Sequence, residues 1–83
     1  MVPILLEYDE SVDAAYLEFS AAEFHHMVNL DDRRAIDYGE DGSVIGVEIL
    51  SPSRGVKLEG LPYARDIERV LVARGFPILQ EAR

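Results

Sequence analysis

Apolar and polar residues alternate with period two along residues 13–20, DAAYLEFS. Ala15, Leu17 and Phe19 share one face, and Ala14, Tyr16 and Glu18 the other. That is the pattern of a half-buried strand. Ahead of it, residues 2–8, VPILLEY, make a short apolar run with an aromatic end, which suits a first strand. Pro3 cannot donate to a ladder, so it marks a strand start or a sheet edge. Asp9, Glu10 and Ser11 between the two runs predict a turn, because such side chains bond their own backbone. A first β-hairpin follows.

A second hairpin is predicted from residues 33–38, RRAIDY, and 43–50, SVIGVEIL, which flank GEDG. Asp41-Gly42 is a strong hairpin signal, since glycine takes positive φ without steric cost. Ile45, Val47 and Ile49 should face the core, with Val44, Gly46, Glu48 and Leu50 on the other side. Gly46 in mid-strand predicts a bulge or the close approach of another backbone or an aromatic ring. If Gly39 faces Gly42, Arg33 lies opposite Glu48; a one-residue bulge puts Arg34 there instead. Both registers predict a cross-strand ion pair worth about 0.2–1 kcal/mol. Residues 20–32, SAAEFHHMVNLDD, have no clear period and are compatible with a loop, a short helical turn or the lead-in to strand three.

After Leu50 the pattern is broken by Pro52, Gly55, Gly60 and Pro62, a linker over 51–61. The period then changes to that of a helix over 62–74, with Ala64, Ile67, Val70 and Leu71 as its apolar stripe. Pro62 suits the first helical position, Asp66 and Glu68 the first half, Arg74 the last turn and Gly75 the C-terminal cap. Phe76, Ile78 and Leu79 form an apolar cluster in the tail, 75–83. These elements predict one α+β domain over 1–83: an antiparallel sheet of about four strands in two hairpins (2–50), followed by one C-terminal helix packed on it.

Length and charge narrow the function. A chain of 83 residues buries only about 60–65% of its unfolded surface, and with no cysteine it has neither disulfide nor thiolate metal site. Association is therefore expected, as a homo-oligomer with a dimer favoured. Sixteen acidic against eight basic residues give a net charge of −8, which argues against a nucleic-acid partner. No apolar stretch nears the ~20 residues of a membrane span. Val2 to Leu6 is too short for a signal h-region and lacks a basic n-region, so a cytoplasmic location is the expectation.

Candidate chemistry is sparse. His25 and His26 are adjacent; on a strand they would point to opposite faces, away from a common metal, and they read as exposed loop histidines. The acidic stretches Asp9-Glu10 with Asp13, Asp31-Asp32, and Asp37 with Glu40-Asp41 follow no EF-hand spacing and read as turn residues. No serine lies in a G-x-S-x-G elbow, and GEDG is not a phosphate-cradling loop. No cofactor is expected.

Two ordered motifs carry a family resemblance. YDESVDAAYLEF (8–19) and AIDYGEDGSVIGVEILSPS (35–53) resemble the bacterial and archaeal domain of unknown function 2283 family. Tyr8, Asp9, Asp13, Ala14, Tyr16 and Leu17 match its first half. Asp37, Tyr38, Gly42, Val44, Gly46, Val47, Glu48, Ile49 and Leu50 match its second. Gly39 departs from the aspartate that the family tends to carry there, and the helix and tail after residue 55 are less typical of it. The resemblance implies a compact α+β domain and supplies no established activity. The functional expectation is a non-enzymatic, self-associating protein-interaction module, antitoxin- or adaptor-like. The alternative is an oligomeric ligand-binding, metal-binding or catalytic domain whose site, between subunits, is built from Tyr16, Asp37, Tyr38 and Glu48.

Overall fold

The computed structural model describes residues 3–79. Five strands, β1 (Leu5–Asp9), β2 (Ala14–Glu18), β3 (His26–Asn29), β4 (Arg34–Tyr38) and β5 (Val44–Leu50), form one antiparallel sheet. Their spatial order is β1-β2-β5-β4-β3. Both expected hairpins form, and β2 and β5 join them. The sheet has one strand more than the pattern predicts. Strand β3 comes from the ambiguous segment 20–32 and pairs with β4. All four of its residues are exposed. Period-two alternation arises from burying one face, so a strand wet on both faces does not display it.

Register places Leu6 beside Leu17, Leu17 beside Val47, and Val47 beside Ile36, a row of apolar side chains across four strands. The helix α1 (Ala64–Ala73) covers this face with Ile67 and Leu71, and Val56 and Leu61 complete the core. Helix α1 starts later than expected. Tyr63 adopts a left-handed conformation (φ 52°), so Pro62 lies outside the helix. The Tyr63 ring rests against Phe19 at 5.5 Å between centroids. The helix ends as expected at Gly75 (φ 86°). The Gly75 N–H donates to Val72 O (3.0 Å) and the Phe76 N–H to Leu71 O (3.0 Å), the paired bonds of a left-handed glycine cap.

The tail returns to the core. Phe76 meets Tyr8 edge-on at 4.9 Å, and β7 (Ile78–Leu79) runs parallel to β6 (Val56–Lys57). The last residues of the predicted tail, 80–83, lie outside the described residues. Among the described residues no helix is long and apolar enough to cross a membrane.

Opposite the helix, the sheet is open. Leu5, Glu7 and Asp9 of β1, Leu50 of β5 and Met27 of β3 are exposed there.

An acidic site on the open sheet face

The register of the second hairpin decides what surrounds Glu48. Its closing pair is Gly39–Ser43, with the Gly39 N–H donating to Ser43 O at 2.9 Å. The turn thus holds Glu40, Asp41 and Gly42, one residue more than expected. An irregularity between Asp37 and Tyr38 shifts the pairing again. The two shifts together align Ala35 with Glu48 and Arg34 with Ile49. Neither expected arginine partner reaches Glu48. Arg34 turns to the helix side, where Nη1 donates to Lys57 O and Glu59 O. The Arg33 guanidinium donates to Leu50 O, Ser51 O and Gly55 O. The cross-strand ion pair is therefore absent.

What Glu48 meets instead is Tyr16, directly opposite on β2, and Asp37, diagonal to it on β4 beside Gly46. The Tyr16 ring lies over Gly46. A Cβ at that position would sit 1.9 Å from the Tyr16 hydroxyl and 2.2 Å from Cζ, so only glycine leaves room for the ring. This is the aromatic approach expected from a mid-strand glycine. Asp37 is 7% exposed, and its Oδ1 has no hydrogen-bond partner among the described residues. Three of the four candidate residues, Tyr16, Asp37 and Glu48, thus gather on one face. Tyr38 does not join them: it packs against the core and stacks on His26 (5.2 Å, 16° between planes).

The electrostatics follow from burial and from like charge. Burial pushes the Glu48 carboxyl up from its ordinary value, and its hydrogen bond with Asp37 and the Asp37 charge act the same way. The Tyr16 hydroxyl is pushed up to about 12, by burial first and then by the Asp37 charge. Burial and like charge both disfavour the charged form of the Glu48 carboxyl. A group whose pKa is raised by folding gives stability that is fully present below its unfolded value. That stability is lost as pH rises through the folded value. Glu48→Gln should therefore gain stability relative to wild type as pH rises from about 4 to about 7. Thermal unfolding across that range reads it, and a difference independent of pH would show that the carboxyls do not interact.

Further carboxylates surround this trio. A shallow depression of about 650 Å³ on the same face is lined by Glu7, Asp9, Glu10 and Glu48, with Tyr16 and Leu50. Glu7 was not singled out from the sequence, because VPILLEY reads as an apolar run, and Asp9 and Glu10 were read only as turn residues. The signal that finds them is the spacing of Glu7 and Asp9, two apart on β1 and level with Tyr16 and Ala14 of β2.

Other acids build turns, as expected. Asp9 Oδ1 accepts from the Ser11 N–H and hydroxyl, and Asp41 Oδ1 from the same groups of Ser43. Asp13, itself left-handed (φ 50°), accepts from the Tyr8 hydroxyl at 2.8 Å and from the Ser53 hydroxyl. The Ser53 bond is the main cause holding its carboxyl below the ordinary range. The adjacent histidines are both exposed, as expected. His25 precedes β3, so strand alternation does not separate the pair, and their Nδ1 atoms lie 2.9 Å apart. Among the described residues no group of three or more His, Cys, Asp or Glu side chains is placed to hold a metal.

No curated protein and no solved structure matches the chain. One family model does, that described as protein of unknown function (DUF2283), over residues 5–53. The stretch takes in both hairpins, Tyr16 over Gly46, the Asp37–Glu48 pair and the Asp13–Ser53 clasp that ties its two ends together. It covers more than half of the sequence, and the chain belongs to the DUF2283 family.

Proposed function

We propose that the chain is a small, non-enzymatic protein-interaction module whose open sheet face receives a basic segment of a partner protein. One observation carries the reading: the strand positions on that face include Glu7, Asp9, Glu18, Asp37 and Glu48, and none is lysine or arginine. Leu5, Leu50 and Met27 add exposed apolar area among these charges. An acidic surface with apolar anchors suits an amphipathic cationic partner. An adaptor, or an antitoxin covering a cationic toxin, would use the face in this way.

The test starts with tagged wild-type chain and a Glu7→Lys/Glu18→Lys variant in lysate of the native host. A protein held by wild type is purified, and its affinity for both chains is measured calorimetrically at two salt concentrations. The reading expects a basic protein that binds wild type, loosens at higher salt and loses at least tenfold in affinity on the variant. Capture of nothing, or a partner that binds both chains equally, overturns it.

A further inference from the structure

The two edges of the sheet are unlike. Strand β1 carries Glu7 and Asp9, with Pro3 just before it and Glu10 just after. Charge and proline are the usual guards against edge-to-edge pairing. Strand β3 has no such guard. Residues 24–30, FHHMVNL, hold no acidic residue, lysine, arginine or proline, although Glu23 and Asp31 bracket them. They also expose Phe24 (59%), Met27 (44%), Val28 (42%) and Leu30 (36%). Those are four of the ten large apolar side chains that the described residues leave exposed.

The backbone along this edge is equally unspent. The Leu30 N–H donates to Arg34 O at 2.8 Å, and Val28 is in phase with Leu30 opposite Ile36. Within β3, bonding to β4 therefore falls to the even-numbered residues, and just ahead of the strand the His25 N–H donates to Tyr38 O at 2.9 Å. By the alternation of an antiparallel ladder, the N–H and C=O of Met27 and Asn29 point away from the sheet.

We propose that β3 is the dimer interface of this protein, pairing antiparallel with β3 of a second copy. Charge selects that occupant. Each chain carries a net charge of −8, so two copies meeting on their open faces or on β1 would set carboxylates against carboxylates. At β3 they meet across an uncharged strip. A two-fold axis at Val28 puts Val28 opposite its own copy and Met27 opposite Asn29, so the outward backbone groups of each strand bond those of the other. Self-complementarity of this kind is what an isologous interface requires. The pairing joins two five-stranded sheets edge to edge with both acidic faces on one side. It uses the sheet edge, not the open face, and so stands apart from the partner reading above.

The test is the mass in solution of three proteins, by sedimentation equilibrium at micromolar concentrations, with circular dichroism to confirm folding. Wild type should have twice the 9.3 kDa of the chain. Met27→Pro removes an outward N–H and leaves the bonds to β4, since proline is tolerated on an edge strand; it should be a folded monomer. Val28→Lys sets two ammonium groups face to face at the axis and should also be monomeric. Should Met27→Pro fail to fold, Val28→Lys decides alone. A monomeric wild type, or a dimer that survives in either folded variant, overturns the proposal.

Discussion

Ile67→Ala should destabilise the domain by about 2–5 kcal/mol, the range for truncating a fully buried aliphatic side chain. Ile67 and Leu71 have no exposed surface and are the side chains by which α1 closes the core over Leu17, Val47 and Ile49. A domain of this size has a total stability of roughly 4–12 kcal/mol, so the loss takes a large fraction of it. The family match ends at residue 53 and the helix lies beyond it. Without α1, however, the most apolar face of the matched strands would stand in water. Urea unfolding followed by circular dichroism should show a lower midpoint with an unchanged slope, the mark of a pure stability effect. Val72→Ala, on the exposed side of the same helix, should stay within about 0.5 kcal/mol of wild type. Equal effects at the two positions would mean that α1 does not hold the core.

Ile67 was legible because helix burial leaves a strong periodic trace: an apolar side chain recurs every three or four residues wherever one stripe is packed. The same logic found Leu17 on β2 and the trio Ile45, Val47 and Ile49 on β5, where one face of a strand is buried. It fails where burial does not discriminate, and β3, wet on both faces, is the plain case. Boundaries were less legible than elements. The start of α1 depends on a left-handed tyrosine, and Tyr63 carries no local signature of that conformation.

Register was the deeper loss, because it decides the chemistry. Both readings of the second hairpin gave Glu48 an arginine, and each rested on the closing pair of the turn. The actual turn is one residue longer, and the irregularity at Asp37–Tyr38 adds one more. A shift of two from the register with Arg33 opposite Glu48 keeps every side chain on its face, so the apolar alternation is satisfied equally by that register and the actual one. Composition cannot choose between them. The outcome replaces a compensated charge with an acid pair beneath Tyr16, and it frees Arg34 for the opposite side of the sheet.

That release of Arg34 leads to the second large effect. Arg34 is only 8% exposed, and its Nε and Nη2 reach Asp31 Oδ2 at 2.9 and 2.8 Å. With Nη1 on the carbonyls of Lys57 and Glu59, it fastens β6 and the loop that follows to β4. Arg34→Ala strips these partners together; because Asp31 stays about one-third exposed, the cost is that of the lost charge-assisted hydrogen bonds, about 1.5–3 kcal/mol. Arg34→Lys keeps the charge but lacks the planar fork that bonds in two directions, so it should recover only part of the loss. The acid limb of the stability profile separates this role from mere packing. The Arg34 hydrogen bond is the main cause holding the Asp31 carboxyl below its ordinary range. A group with a depressed folded pKa gives stability above its unfolded value and loses it as pH falls through the folded one. Arg34→Met, which keeps the stem and drops the guanidinium, should therefore lose less stability than wild type on acidification below about pH 4. Parallel acid limbs in the two proteins would reduce Arg34 to a filler of space.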